Sequence, residues 1–409
     1  MQFIVERFMK NTSRIAFRIV FPASLLMEDA QKNGITHLLE HFHFRGNVDM
    51  PQSQLYTKME VLNSPISGET TSQSMSFSFS SSRETFIKSF DLFCTFLFEI
   101  SENYDDFAKE KSVVLREIEE KGADSFSYRM KKYFLGNHSA SLPILGTFSG
   151  AKKITFSKLL YWNKIIETNK NAYCFLSGAF DVDLLEYVQK KLEYGFANLG
   201  TEISILPDYK IPSRGIKCVQ PRWCDEHELA FAIYLPKEIC SFYEFAIFRS
   251  SLCGGDGAII LRKLREEHGL CTNIQESSYY NKDYYILTFS CIVKKQWDCQ
   301  AISDVLYSLL YMKNSLTEEE FIQANAIYTS DFDRFEEDPE VWKDFLFDYF
   351  EATGKCDTLK SEIRDSFASV TYGDFRKMLC DVIQSKNISV FAETYQQKCL
   401  ENFYQKLNS

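Results

Sequence analysis

Two runs of the 409-residue chain, 15–21 (IAFRIVF) and 229–235 (LAFAIYL), read as strands, and each opens a similar succession of signals. This recurrence constrains the fold more than any other feature. In the first half a short helical stretch lies between glycines at 34 and 46. It leads to 74–80 (SMSFSFS), where Met75, Phe77 and Phe79 alternate with serines, the pattern of a half-buried strand. Residues 82–100 and 105–121 show helical apolar spacing, 172–177 reads as a strand, and 181–194 as a helix. The second half repeats the order. Helix over 241–269 is interrupted by glycines at 254, 255 and 257, a strand follows over 284–293, and 317–352 is largely helical. Residues 206–214 hold two prolines and no periodicity, as a linker would. The reading is an α+β chain of two similar domains, 1–205 and 216–409, joined by a linker at 206–215. Each domain is expected to be a mainly antiparallel sheet with helices packed on it, the pair descending from a duplication.

Bulk properties narrow the function. A formal charge of -10 leaves no basic face for nucleic acid and argues against anionic membrane surfaces. No apolar run reaches the length of a membrane span. The opening MQFIVERFMK carries Glu6 and lacks an apolar signal-peptide core, so a cytoplasmic protein is expected. Its twelve cysteines are scattered without a CxxC pair and read as reduced, mostly buried thiols. The 36 Phe and 22 Tyr suggest aromatic cores, with some exposed rings lining a peptide-binding wall.

Three of the six histidines fall within 37–43, and His37 and His41 frame Glu40 as H-x-x-E-H. On a helix these two histidines lie within about 40° of each other, one turn apart, so both imidazoles can reach one Zn²⁺. Glu40 shares that face and is placed to hold a water. His43 points elsewhere and is expected to be structural. A catalytic zinc needs a third protein ligand and an open position. The stretch 110–120 (EKSVVLREIEE) offers Glu110 and Glu117, seven apart and on nearly one helix face, with Val113 and Val114 as apolar neighbours. Glu119 and Glu120 read as the solvated end of the helix. Taken singly, each of these glutamates could equally belong to an exposed charged face.

HLLEH followed about 75 residues later by EKSVVLREIEE resembles the pitrilysin/insulinase family of inverted-motif zinc peptidases. Further segments share the likeness: Ser67-Gly68-Glu69-Thr70, 135–147 (LGNH through PILGT), 171–178, and 254–273 (GGDGAIILRKLREEHGLCTN). The resemblance implies that His37, His41 and Glu117 ligate zinc, that Glu40 is the general base, and that Glu110 supports the site. It also implies that Ser67–Thr70 is an edge strand pairing with the substrate backbone. An arginine and a tyrosine seven residues apart in the second domain would stabilise the oxyanion. Arg265 matches the arginine, but Thr272 stands at the tyrosine, with Tyr279 and Tyr280 nearby. A short, two-domain member of this kind is expected to dimerise around a closed peptide chamber. The missing tyrosine points to a related partner subunit in a heterodimer, with a homodimer as the alternative. The activity implied is a zinc metalloendopeptidase for short or unfolded peptides, including precursor or leader segments. A non-hydrolytic or partner-dependent peptide-binding subunit is the alternative.

Overall fold

The computed structural model describes residues 2–7, 12–23, 25, 27–29, 31–121, 125–136, 139–168, 172–196, 210–211, 215–222, 225–254, 257–329, 338–355 and 360–407. Most of the expected linker, 206–209 and 212–214, lies outside them, as do Asn137, His138, Asn171 and residues 255–256. The strand-forming blocks of the first half are β1 (Gln2–Arg7), β2 (Arg14–Phe21), β3 (Ser67–Thr70), β4 (Met75–Ser82) and β5 (Tyr173–Gly178). They assemble in the order β1-β5-β2-β4-β3. Those of the second half are β6 (Ile216–Val219), β7 (Glu226–Pro236), β8 (Gln275–Tyr280), β9 (Tyr284–Lys294) and β10 (Ile388–Glu393), ordered β6-β10-β7-β9-β8. In each sheet only the outermost pair, β1 with β5 and β6 with β10, is parallel. Every other pairing is antiparallel. The fold is therefore α+β with two sheets of one topology, the arrangement expected from the repeated order of signals.

Two compact units exchange segments of chain. The first comprises Met1–Tyr128, Asn137–Pro207 and Asp333–Leu359, and the second Arg129–Gly136, Asp208–Phe332 and Lys360–Ser409. Within the first unit, Phe17 lies fully buried among Phe79, Phe90 and Phe93, with ring centroids 5.8, 5.2 and 5.3 Å away. Such a ring anchors the sheet to its helices; truncation to alanine costs about 3–5 kcal/mol.

Two sequence expectations are corrected. β4 is buried on both faces: Ser76 is 1% and Ser80 7% exposed. The helix Pro339–Thr353 covers the serine face, and its acids take the hydroxyls, Ser80 donating to Glu340 and Ser74 to Glu351. A strand face of small hydroxyls is buried without penalty when acceptors meet it. That helix is about 260 residues away in sequence, so local alternation could not reveal it. The thiols are not all reduced, since Cys299 and Cys399 form a disulfide. The helices Asp298–Asn314 and Gln397–Leu407 pack together and bring their Cα atoms to 5.8 Å across 100 residues of chain. Six of the other described cysteines, Cys94, Cys174, Cys240, Cys253, Cys271 and Cys291, are buried thiols, as expected, while Cys218 is half-buried and Cys380 exposed. No described helix is long and apolar enough to cross a membrane.

Candidate metal centre

The H-x-x-E-H motif occupies helix α1 (Ile35–His43). Its first residue is preceded by Gly34 at φ 95°, where a Cβ would sit 2.8 Å from the Leu145 carbonyl oxygen. Only glycine fits both the conformation and the close approach. Gly34 has no side chain to cap the helix, and buried Glu28 does so instead. Its carboxylate accepts from the backbone N–H of Gly34 at 2.8 Å and of Thr36 at 3.0 Å, and from Asn33 Nδ2 at 2.9 Å. An anion there also complements the helix dipole. Leu38, Leu39 and Phe42 are fully buried and seat α1 in the core. His43 turns into the same core, with Nδ1 3.3 Å from the Phe96 carbonyl and its ring against Phe77. Burial pushes its pKa down to about 4, so it is neutral and structural.

Helix α2 (Gln52–Val61) and helix α3 (Phe86–Phe98) complete that side of the first unit, and helix α4 (Tyr104–Lys121) packs on α1. Phe107, Val114 and Ile118 face the core, which turns Glu110 and Glu117 toward α1. His37 Nε2 lies 3.2 Å and His41 Nε2 3.8 Å from Glu117 Oε2. One ligand atom from each of His37, His41 and Glu117 falls within 4.8 Å of the others, the one such cluster among the described residues. Ligands on a tetrahedral zinc at 2.0–2.1 Å stand about 3.3 Å apart, so two imidazoles and a carboxylate at these separations fit the ion.

The electrostatics agree with that donor set. Burial disfavours charge on His37, but hydrogen bonds to Glu117 and Glu40 prevail and raise its pKa to about 9. The His37 hydrogen bond holds Glu117 at about 2, with Lys121 Nζ 2.7 Å from its other oxygen. Glu40 is also lowered: burial opposes its charge, and hydrogen bonds from His37 and Thr70 overcome it. Glu117 and Glu40 thus meet opposite nitrogens of His37, Nε2 and Nδ1.

Thr70 Oγ1 donates to Glu40 Oε2 at 2.5 Å, while Glu40 Oε2 is 3.7 Å from His37 Nδ1. Gly68 passes so close that a Cβ would sit 2.7 Å from Glu40 Oε1 and 3.0 Å from Phe44. Along β3 the residues alternate: Gly68 and Thr70 face Glu40, and Glu69 meets Arg18 on the opposite side. Ser67 is exposed. Glu110 Oε2 lies 3.4 Å from His41 Nδ1, and its Oε1 is 2.6 Å from Arg45. A carboxylate on the far nitrogen fixes the imidazole's tautomer and raises its basicity as a ligand. Glu110→Gln should lower activity about 10- to 100-fold with modest loss of metal. Steady-state kinetics beside metal analysis checks this, and unchanged kinetics would leave Glu110 without a part in the site.

The remaining sequence candidates lie in the second unit. Arg265 is on the π-helical segment Arg262–Glu267, its side chain 49% exposed and 3.4 Å from Glu266. Thr272 is exposed in the following loop. Tyr280 is buried against Phe245 and Tyr285, and Tyr279 is half-buried with Lys131 Nζ 5.2 Å from its ring centre. Sequence reasoning missed two supporting residues, Arg45 and the Thr70 hydroxyl as a partner of Glu40. Arg45 follows His41 by one helical turn, a signal open to reading; the Thr70 contact spans two elements and gives none.

Residues 6–147 match the model of the insulinase family, peptidase family M16. This segment is of the insulinase family. The β subunit of mitochondrial-processing peptidase from Saccharomyces cerevisiae is 26% identical over 193 residues, 46% of this chain. The match spans 41% of that relative, less than half of its length. Among solved structures, an inactive peptidase M16 domain from Pseudomonas fluorescens superposes with a TM-score of 0.81 at 14% identity, covering 95% of this chain and 94% of that one. A protease from Helicobacter pylori gives 0.81 at 16% identity over 95% and 96% of the two chains. A chain of complex III2 from Candida albicans gives 0.73 at 13% identity over 100% and 97%. At these identities the superpositions establish the fold, and the family match covers residues 6–147.

Proposed function

We propose that this chain is a zinc metalloendopeptidase acting on short or unfolded peptides, with precursor or leader segments among its substrates. The observation that carries the reading is the convergence of His37, His41 and Glu117, with the Glu40 carboxylate on the same helix face. Zinc bound there would lower the pKa of a water and polarise a peptide carbonyl. Glu40 would serve as general base and then acid, taking a proton from water and returning it to the leaving amine. Its low pKa keeps it ready as a base, and Thr70 fixes its orientation. Glu110 orients His41. The strand of Ser67, Gly68, Glu69 and Thr70 pairs with β4 on one side only, so an extended peptide can add along its outer edge through backbone hydrogen bonds. In this reading 1–205 is the zinc-binding catalytic domain, 206–215 the linker, and 216–409 a second domain that helps to close the chamber. The proposed setting is cytoplasmic, without nucleic acid or membrane as partner.

The second domain carries Arg265 but a threonine at 272, and Tyr280 is packed into its core. This supports a heterodimer in which a related subunit supplies the phenol. It also supports the second reading, a peptide-binding subunit that does not hydrolyse alone. Titrating a related subunit bearing the arginine–tyrosine pair into the purified chain, while following a fluorogenic peptide, separates the cases. Weak cleavage alone and strong cleavage after mixing is expected. Full turnover by the lone chain would remove the need for a partner, and no turnover in any mixture would leave the binding subunit.

A further inference from the structure

β3 is four residues long and held by one neighbour, yet it carries the Thr70 hydroxyl that orients Glu40. A strand so short has few ladder hydrogen bonds to fix it, and a free edge frays. Two clamps reach it from the helix Pro339–Thr353. Arg18, 5% exposed, lies over the Phe347 ring at 3.7 Å, with Nη1 3.1 Å from Asp344. Its Nη2 holds both Glu69 of β3 and, at 3.0 Å, Ser76 of β4. The second clamp grips the β3–β4 turn. Glu351 Oε1 accepts from Ser74 Oγ at 2.6 Å and from Thr71 Oγ1 at 3.1 Å. The Thr71 oxygen in turn accepts from the backbone N–H of Gln73 and Ser74, and Thr71 N–H closes the turn on Ser74 O at 2.8 Å. Thr71 directly follows Thr70.

We propose that the helix Pro339–Thr353 sets the position of β3, and through Thr70 that of the Glu40 carboxylate, with Glu351 as the positioning residue. The inference rests on the reading of Glu40 as the base. Three of the four acids of this helix, Glu340, Asp344 and Glu351, each meet a hydroxyl or guanidinium of the sheet. A segment from the second half of the sequence thus controls the geometry of a site in the first. Both hydroxyls use the same oxygen of Glu351, so glutamine retains the clamp and alanine removes it.

The test compares wild type, Glu351→Gln, Glu351→Ala and Asp344→Ala as full-length chains. Hydrogen exchange is followed over 65–78, with zinc content and peptide cleavage measured on the same samples. For Glu351→Ala we expect exchange at 67–74 to rise about tenfold. We expect kcat to fall about tenfold with zinc retained. Glu351→Gln should restore both to near wild type. Asp344→Ala, at a side chain 60% exposed, keeps the fold safe and should shift both readouts the same way by a smaller factor. Wild-type exchange and kcat in Glu351→Ala, or glutamine as damaging as alanine, would overturn the proposal. If wild type cleaves nothing, alone or mixed with a related subunit, the reading of Glu40 fails, and the exchange rates alone decide whether the helix holds β3.

Discussion

Glu40→Gln should keep one zinc per chain and lose about 10²- to 10⁴-fold in peptide hydrolysis, the range of a positioned general base. The amide has nearly the shape of the carboxylate and can still accept from Thr70 Oγ1, so the contact that now measures 2.5 Å survives. What it cannot do is take a proton from water. Gly68 leaves no room for a rearranged side chain, with a hypothetical Cβ already at 2.7 Å from Glu40 Oε1. The change is thereby confined to chemistry. Zinc content and initial rates on one preparation check it. Wild-type turnover in this variant would place the base elsewhere.

Removing a ligand should act differently. His41→Ala leaves His37 and Glu117, and two donors do not hold zinc against water at a site built for three. Metal and activity should vanish together, and added zinc should restore neither at micromolar levels. Binding to the wild type should also depend on pH through His37. With its metal-free pKa raised from 6.5 to about 9, His37 is protonated at neutral pH and must release that proton to become a ligand. Apparent zinc affinity should then rise about tenfold per pH unit between roughly 6.5 and 9 and level off above. The same shift makes a sign prediction for the metal-free fold. A His whose folded pKa is raised stabilises fully below 6.5, and that contribution is lost as pH rises through about 9. Calorimetric zinc titrations across this range give the slope; a flat profile would mean His37 enters neutral.

Legibility in the sequence tracked how local each interaction is. H-x-x-E-H was readable because three residues within one turn of α1 define a face, and Glu110 with Glu117 repeat a face of α4. The family resemblance was readable for the same reason, through short segments, and the match over 6–147 agrees with it. β4 was misread as half-buried because its covering helix comes from Pro339–Thr353. The disulfide was missed because helix packing, not spacing, brings Cys299 to Cys399. The capping of α1 by Glu28 was not seen either, since the usual signal sits at the cap position, where this chain has Gly34. Position 272 shows the opposite case. The departure from the family pattern was plain in the sequence, and the fold adds that Tyr280 packs between Phe245 and Tyr285.

The most direct test is diffraction at the zinc absorption edge from crystals of the zinc-loaded chain. A single anomalous peak about 2.0–2.2 Å from His37 Nε2, His41 Nε2 and a Glu117 oxygen is the predicted result, with Glu110 on His41 Nδ1 and outside the coordination sphere. No peak at this site, or a peak held by Glu110 with Glu117 turned away, would contradict it.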